Sequence, residues 1–216
     1  MRRVGSESAV ADSMIARIHA AFAAGFVARK NRGGNMGQLP SLTREQLSPH
    51  DRTVWDHVYS GRTLPPGGGP YAVLMHSPQM AQQFSNVENY YRNSGQLDPV
   101  DKELIILTIA RAMNVRYAWG RHEIRARQVG MRSEALETLR ANAPLDALND
   151  HERLIVEMTR GLLHERKLPE EMFARARAEL GDQRLVEAVG LVGHYNFISM
   201  VARTFDLDVP PGTMTF

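Results

Sequence analysis

Two residues with the chemistry of proton transfer, Glu103 and His122, stand out in the sequence. Glu103 lies near the start of a predicted helix and precedes the apolar run 104–110, in which only Thr108 is polar. A carboxylate in that position must be hydrogen-bonded, paired with a cation or protonated, because burying an isolated charge is costly. The alternative is a partly exposed residue of the first turn that interacts with the helix dipole.

His122 lies on the next predicted helix, beyond a short break around Asn114 that favours two antiparallel neighbours. Glu103 is eleven residues before Asn114 and His122 is eight residues after it. At about 1.5 Å of rise per residue, the two positions differ by roughly 5 Å along the helices, which two long side chains can span. A His–Glu pair of this kind provides a general acid or base whose tautomer is set by its partner. The alternative is a surface histidine without a role.

The elements that must position this pair are predicted to be helices throughout. Asp98 is a good N-cap, Pro99 suits the first helical position, and Gly130 is a good left-handed stop for the helix that carries His122. Strand patterns are absent almost everywhere, so we expect an all-α fold built around the central hairpin of the two site helices. The predicted helices cover 47–60, 77–93, 98–113, 117–129, 133–139, a segment from 149 onward, 168–181 and 183–205.

Composition limits the classes of function. With 216 residues, 43% of them hydrophobic, the chain is long enough for one domain with a substantial core. The net charge of +2 and the lack of a long basic run argue against a nucleic-acid partner. The absence of cysteine excludes disulfides, thiolate metal sites and cysteine nucleophiles, and it fits a reducing compartment, so we expect a cytoplasmic protein.

The chain is predicted to consist of an N-terminal extension and one domain. Residues 1–37 resemble a loosely attached helix that ends in a glycine-rich joint, and the domain is expected to occupy 38–216. The longest apolar segment, Leu185 to Phe205, contains Glu187, His194 and Arg203. We therefore expect a buried helix of a soluble protein rather than a membrane span.

Neither a metal nor a cofactor is expected from the motifs. The His-Glu dipeptides at 122–123, 151–152 and 164–165 do not extend to a His-Glu-x-x-His pattern. Adjacent helical residues point about 100° apart, so the two side chains of such a dipeptide do not chelate one ion easily. No glycine-rich phosphate loop follows a strand, so nucleotide binding has no support either.

Several motifs in order resemble the carboxymuconolactone decarboxylase-like family of the AhpD-like superfamily. The resemblance spans roughly 42–211 and rests on Leu97 to Leu107 (LDPVDKELIIL), Tyr117 to His122 (YAWGRH), Ala126 with Gly130, Gly69-Pro70, His76-Ser77-Pro78, Leu180-Gly181, Val186-Glu187 and His194-Tyr195. It implies an AhpD-like helical bundle that assembles into a homo-oligomer, namely a dimer, trimer or hexamer.

The resemblance also separates two family chemistries. The peroxidase branch uses a Cys-x-x-Cys pair, and this sequence has Val115 and Ala118 at those two positions, while Glu103 and His122 match the family's Glu and His. Without a thiolate there is no nucleophile for a peroxide and no disulfide to cycle, so thiol peroxidase activity is disfavoured.

The decarboxylase branch needs no redox centre. It implies a cofactor-independent lyase that acts on a small carboxylated lactone or related acid, with His122 as general acid or base and Glu103 as its partner. A Glu commonly stands between the motif Tyr and Trp of the family, where this sequence has Ala118. A related lyase or hydrolase acting on another small acid, and a non-catalytic binding or assembly protein of the same fold, are therefore the alternatives.

Six further residues are candidates for binding the substrate. Arg111, Arg121 and Arg125 could hold its carboxylates, and the last two are four residues apart on one helical face. Tyr117 and Trp119 could line its pocket, and His76 could border the same cleft. For the arginines the alternative is a solvated surface, and for the aromatic residues it is packing.

Overall fold

The computed structural model describes residues 38–40, 42–60, 68–207, 209 and 212–216. The predicted N-terminal extension, residues 1–37, lies outside this part of the chain. Within it, regular structure is helical and there is no strand, which confirms the predicted all-α class. Its eight α-helices are α1 Pro49–Tyr59, α2 Pro70–Leu74, α3 Pro78–Asn93, α4 Pro99–Ala112, α5 Arg116–Gln128, α6 Ser133–Ala141, α7 Asp150–Glu165 and α8 Glu170–Thr204.

Helix α4 lies in the middle of the bundle, as its apolar sequence predicts. It packs against α5, α7 and α8, and residues 104–110 are all buried. The Asp98 side chain accepts a hydrogen bond from the backbone N–H of Val100 at 2.7 Å, so the predicted N-cap is present. Because this cap fixes where the helix begins, it also fixes which residues of α4 face each neighbour.

The connection between α4 and α5 makes the predicted hairpin. Asn114 adopts a left-handed conformation with φ 54°, and α5 begins two residues later. At the other end of α5, Gly130 has φ 87°, a conformation that glycine adopts without steric cost and that ends the helix as predicted. The two site helices are therefore neighbours that run in opposite directions.

Pro70 begins the short helix α2, which was not predicted from the sequence and whose five residues are all buried. They join a second apolar cluster, formed with residues of α1 and the end of α8, and this burial stabilises a helix too short to form alone. The two helices predicted at 168–181 and 183–205 both lie within α8, and they meet at a kink at Gly181, whose φ of 73° and ψ of 170° are not helical, so the predicted break is present.

Helix α8 is long and apolar enough to cross a membrane by length and composition alone. However, 61% of its most apolar window is buried inside the domain. This burial is characteristic of the core helix of a soluble protein, as the interspersed polar residues predict.

Glu187 of α8 holds the segment that leads into α4. Its carboxylate accepts hydrogen bonds from the backbone N–H groups of Gln96 and Leu97 at 2.7 and 3.0 Å, from the Tyr90 hydroxyl and from the Gln183 side-chain amide. These bonds lower the pKa of Glu187, although desolvation acts in the opposite direction. One buried carboxylate thus joins α3, α8 and the start of the helix that carries Glu103.

We predict that Glu187→Ala lowers the free energy of unfolding by about 2–3 kcal/mol, because two backbone N–H groups lose their acceptor. Urea denaturation followed by circular dichroism measures this. Gln183→Ala removes only one exposed donor to the same carboxylate and should cost less than about 0.5 kcal/mol. Equal losses in the two variants would contradict the role given to Glu187.

Candidate active site

Glu103 and His122 are in direct contact between α4 and α5. His122 Nδ1 lies 2.7 Å from Glu103 Oε2, and the two residues are only 8% and 7% exposed. A carboxylate accepts hydrogen bonds, so Nδ1 carries the proton and donates a hydrogen bond to Glu103. This arrangement leaves the second ring nitrogen, Nε2, to act as an acceptor when the imidazole is neutral.

Tyr195 of α8 contacts the other side of the imidazole. Its hydroxyl oxygen lies 3.3 Å from His122 Nε2, and its ring packs edge-on against the imidazole with centroids 5.2 Å apart. Burial, followed by the negative charges of Glu88 and Glu103, raises the pKa of Tyr195 well above its ordinary value. Tyr195 is therefore a phenol at neutral pH, and its O–H donates to Nε2 of the neutral imidazole.

Two cavities border this three-residue cluster. The Glu103-side cavity has a volume of about 200 Å³, and the smaller His122-side cavity has about 60 Å³. Four residues line both cavities: Glu88 and Arg92 of α3, Arg125 of α5 and Tyr195. The cavities thus meet at one wall that carries two guanidinium groups, one carboxylate and the Tyr195 hydroxyl.

The two guanidinium groups of this wall differ in their pairing. Arg92 forms a close ion pair with Glu88, one turn earlier on α3. The guanidinium group of Arg125 forms neither a hydrogen bond nor an ion pair with any residue of the described part of the chain. A half-buried cation without such a partner, at the wall of a cavity, is well suited to bind an anionic group of a small molecule.

The predicted substrate-binding residues separate into two groups. Tyr117 and Arg121 line the His122-side cavity. Trp119 and Arg111 do not reach either cavity, since the ring of the C-terminal residue Phe216 lies 5.3 Å from the Trp119 ring and 4.5 Å from the Arg111 guanidinium. Trp119 is fully buried, and the packing alternative therefore describes it.

His76 is also outside both cavities, where it contacts the backbone carbonyl of Pro40 through Nε2 at 2.9 Å. His76 was predicted to border the cleft, but its side chain instead contacts the segment that precedes α1. In the part of the chain that the structure describes, no group of three or more His, Cys, Asp or Glu side chains is arranged to hold a metal ion.

A sequence model of the carboxymuconolactone decarboxylase family matches residues 78–161, which include Glu103 and His122. The matched segment runs from the start of α3 into α7 and contains the central hairpin. This segment is similar to that family, although the chain has no cysteine. No curated protein matches the chain.

Solved structures show that the chain has the AhpD-like fold. An alkylhydroperoxidase AhpD core protein from Ralstonia eutropha JMP134 is 14% identical, with a TM-score of 0.68 over 83% of this chain and 95% of that one. A peroxidase-related protein from Silicibacter sp. TM1040 is 15% identical, with a TM-score of 0.66 over 86% and 96%. The debrominase Bmp8, a variant in complex with 2,3,4-tribromopyrrole, is 13% identical, with a TM-score of 0.63 over 85% and 95%.

Sequence reasoning did not select three residues of the cavity walls, namely Glu88, Arg92 and Tyr195. Glu88 and Arg92 lie on α3, whose sequence is mostly polar. Arg125 was a candidate because it follows Arg121 by one turn on the same helical face. Tyr195 was noted only as part of a motif, and its contact with His122 joins positions 73 residues apart.

A second histidine, His151 of α7, lies between two carboxylates outside the cavities. Nε2 contacts Asp101 of α4 and Nδ1 contacts Glu179 of α8, both at 2.8 Å. Desolvation alone would lower the pKa of His151, but the hydrogen bonds to Asp101 and Glu179 outweigh it and raise the pKa. The His151 side chain therefore links α7 to α4 and α8, and the link is strongest when the imidazole is protonated.

We predict that this link weakens as the pH rises. The pKa of His151 is raised above the unfolded value of about 6.5, so its stabilisation is complete below pH 6.5 and is lost as the pH passes through the folded-state pKa. The loss should reach at most about 1 kcal/mol, because the side chain is partly exposed and screened by water. Urea denaturation between pH 6 and pH 8 at constant ionic strength measures it. His151→Gln should show a shallower pH dependence than the parent protein, and identical slopes would contradict the prediction.

Proposed function

We propose that this protein is a cofactor-independent lyase that removes CO2 from a small carboxylated lactone or a related conjugated acid. In this proposal, His122 transfers the proton. Glu103 orients the imidazole ring of His122 and stabilises its charged form. The observation that carries the proposal is the buried 2.7 Å contact between His122 Nδ1 and Glu103 Oε2 beside two cavities. A buried acid–base pair beside a cavity for a small molecule is a common arrangement in enzymes that transfer protons.

The chemistry of decarboxylation matches the groups present. When the bond between carbon and the carboxylate breaks, its electron pair stays on carbon and delocalises into the conjugated lactone. CO2 departs, and a proton must then be delivered to that carbon. His122 in its imidazolium form supplies the proton, and the carboxylate of Glu103 stabilises the charged ring before the transfer.

The charges of the cavity walls support an anionic substrate. Arg92, Arg121 and Arg125 line the His122-side cavity, whereas Glu88 is its one carboxylate wall residue in the described part of the chain. Arg125 has no ion-pair partner there, so binding a substrate carboxylate would break no existing contact of this side chain. We assign Arg125, which lines both cavities, to a carboxylate of a substrate that extends across both, and Arg121 and Tyr117 to the part of the substrate in the His122-side cavity.

Thiol chemistry is excluded, since the sequence has no cysteine. The debrominase Bmp8, a protein of similar fold, was solved in complex with 2,3,4-tribromopyrrole, which is a small ring compound. The presence of Ala118 where the family commonly has a Glu is the reason for proposing a class of substrates rather than one compound.

The test is a panel of carboxylated butenolides and conjugated dicarboxylic acids, assayed for CO2 release with the parent protein and two variants. We expect at least one acid to be turned over, with kcat/KM lowered about 10²–10⁴-fold in His122→Gln and Glu103→Gln. His50→Gln changes an exposed histidine at the start of α1 and should leave turnover unchanged. Binding of an acid without any CO2 release would instead favour the non-catalytic alternative, and unchanged activity in both site variants would refute the assigned roles.

A further inference from the structure

We infer that Tyr195 is a third catalytic residue, which passes the proton between His122 and the bound acid. This inference rests on the proposed function, because it assigns the final step of that proton transfer. The geometry points to it, since the Tyr195 hydroxyl contacts His122 Nε2 at 3.3 Å and the residue lines both cavities.

The imidazole of His122 is engaged at both nitrogens. Nδ1 is committed to Glu103 at 2.7 Å, so a proton that leaves or enters the ring from the cavity must use Nε2. The Tyr195 oxygen is the atom that Nε2 meets. His122 itself lines only the smaller cavity, whereas Tyr195 lines both. The part of a substrate that lies in the larger cavity therefore meets the tyrosine and not the imidazole.

A hydroxyl group can relay a proton without ever becoming charged. In the imidazolium state, Nε2–H donates to the Tyr195 oxygen, and the tyrosine O–H turns toward the cavity. When the substrate carbon receives the Tyr195 proton, the Nε2 proton moves to the tyrosine oxygen in the same step. The tyrosine is regenerated and His122 becomes neutral, with its Nδ1–H still donated to Glu103. A proton from solvent then restores the imidazolium for the next turnover.

The environment of Tyr195 favours this concerted exchange over a tyrosinate intermediate. Burial and the carboxylates of Glu88 and Glu103 raise the pKa of Tyr195, which outweighs the opposite effect of Arg125 and Arg92. A free tyrosinate would therefore be costly. The concerted transfer of two protons does not form a tyrosinate. The edge-on packing of the ring against His122 holds the hydroxyl at Nε2 in both states.

Tyr195→Phe tests the inference, because it keeps the ring packing and removes only the hydroxyl. With an acid that the parent protein turns over, we expect kcat to fall about 10²–10³-fold and KM to change less than about threefold. Tyr59→Phe removes a buried tyrosine hydroxyl outside both cavities and should leave kcat unchanged.

Two further readouts separate a proton carrier from a purely structural hydroxyl. In the parent protein, a plot of kcat against the deuterium fraction of the solvent should be curved, because two protons move in one step. In Tyr195→Phe, the ¹⁵N resonance of His122 Nε2 should move toward that of an imidazole nitrogen without a hydrogen bond. A straight-line isotope dependence in the parent, or an unchanged ¹⁵N resonance in the variant, would overturn the relay.

The outcomes also distinguish this inference from the proposed function. Near-parental turnover in Tyr195→Phe, together with loss of turnover in His122→Gln, would refute the relay and leave the lyase proposal standing. If the parent protein turned over no acid of the panel, the lyase proposal would fail, and the catalytic role of Tyr195 would fail with it.

Discussion

The burial of the Glu103 carboxylate in the central helix is the constraint on which the rest of the site depends. Helix α4 is surrounded by α5, α7 and α8, so a charged side chain on it has no access to bulk water to offset its desolvation. Leaving such a carboxylate unpaired would cost several kcal/mol. Its hydrogen bond with His122 satisfies the carboxylate, fixes the tautomer of the imidazole and sets the register of α4 against α5. One contact therefore serves the fold and the chemistry together.

The remaining helices complete the site around this contact. Helix α3 contributes the ion pair of Glu88 and Arg92, and α8 contributes Tyr195. Glu187 lies on the same helix as Tyr195 and binds the two backbone N–H groups just before α4, so the position of Tyr195 is tied to the beginning of the helix that carries Glu103. The chain thus combines a buried contact between His122 and Glu103 with an AhpD-like fold, and it has no cysteine.

Local sequence signals were sufficient for the centre of the fold. The cap at Asp98, the stop at Gly130 and the short break at Asn114 predict the hairpin, and counting residues along it predicts that Glu103 and His122 can meet. The cavity walls depend on contacts between distant parts of the chain, which such signals do not reveal. Trp119 and Arg111 lie away from the cavities because Phe216 packs against both, and no pattern near either residue indicates the C-terminal residue as a partner.

The most direct test of the proton-transfer pair is hydrogen–deuterium exchange on a small carboxylated butenolide in D2O, followed by proton NMR at the carbon next to the lactone carbonyl. This measurement detects proton transfer even when no bond to CO2 breaks. The account predicts that the parent protein catalyses the exchange and that Glu103→Gln and His122→Gln each slow it about 10²-fold or more. Equal exchange rates in all three proteins would contradict the account.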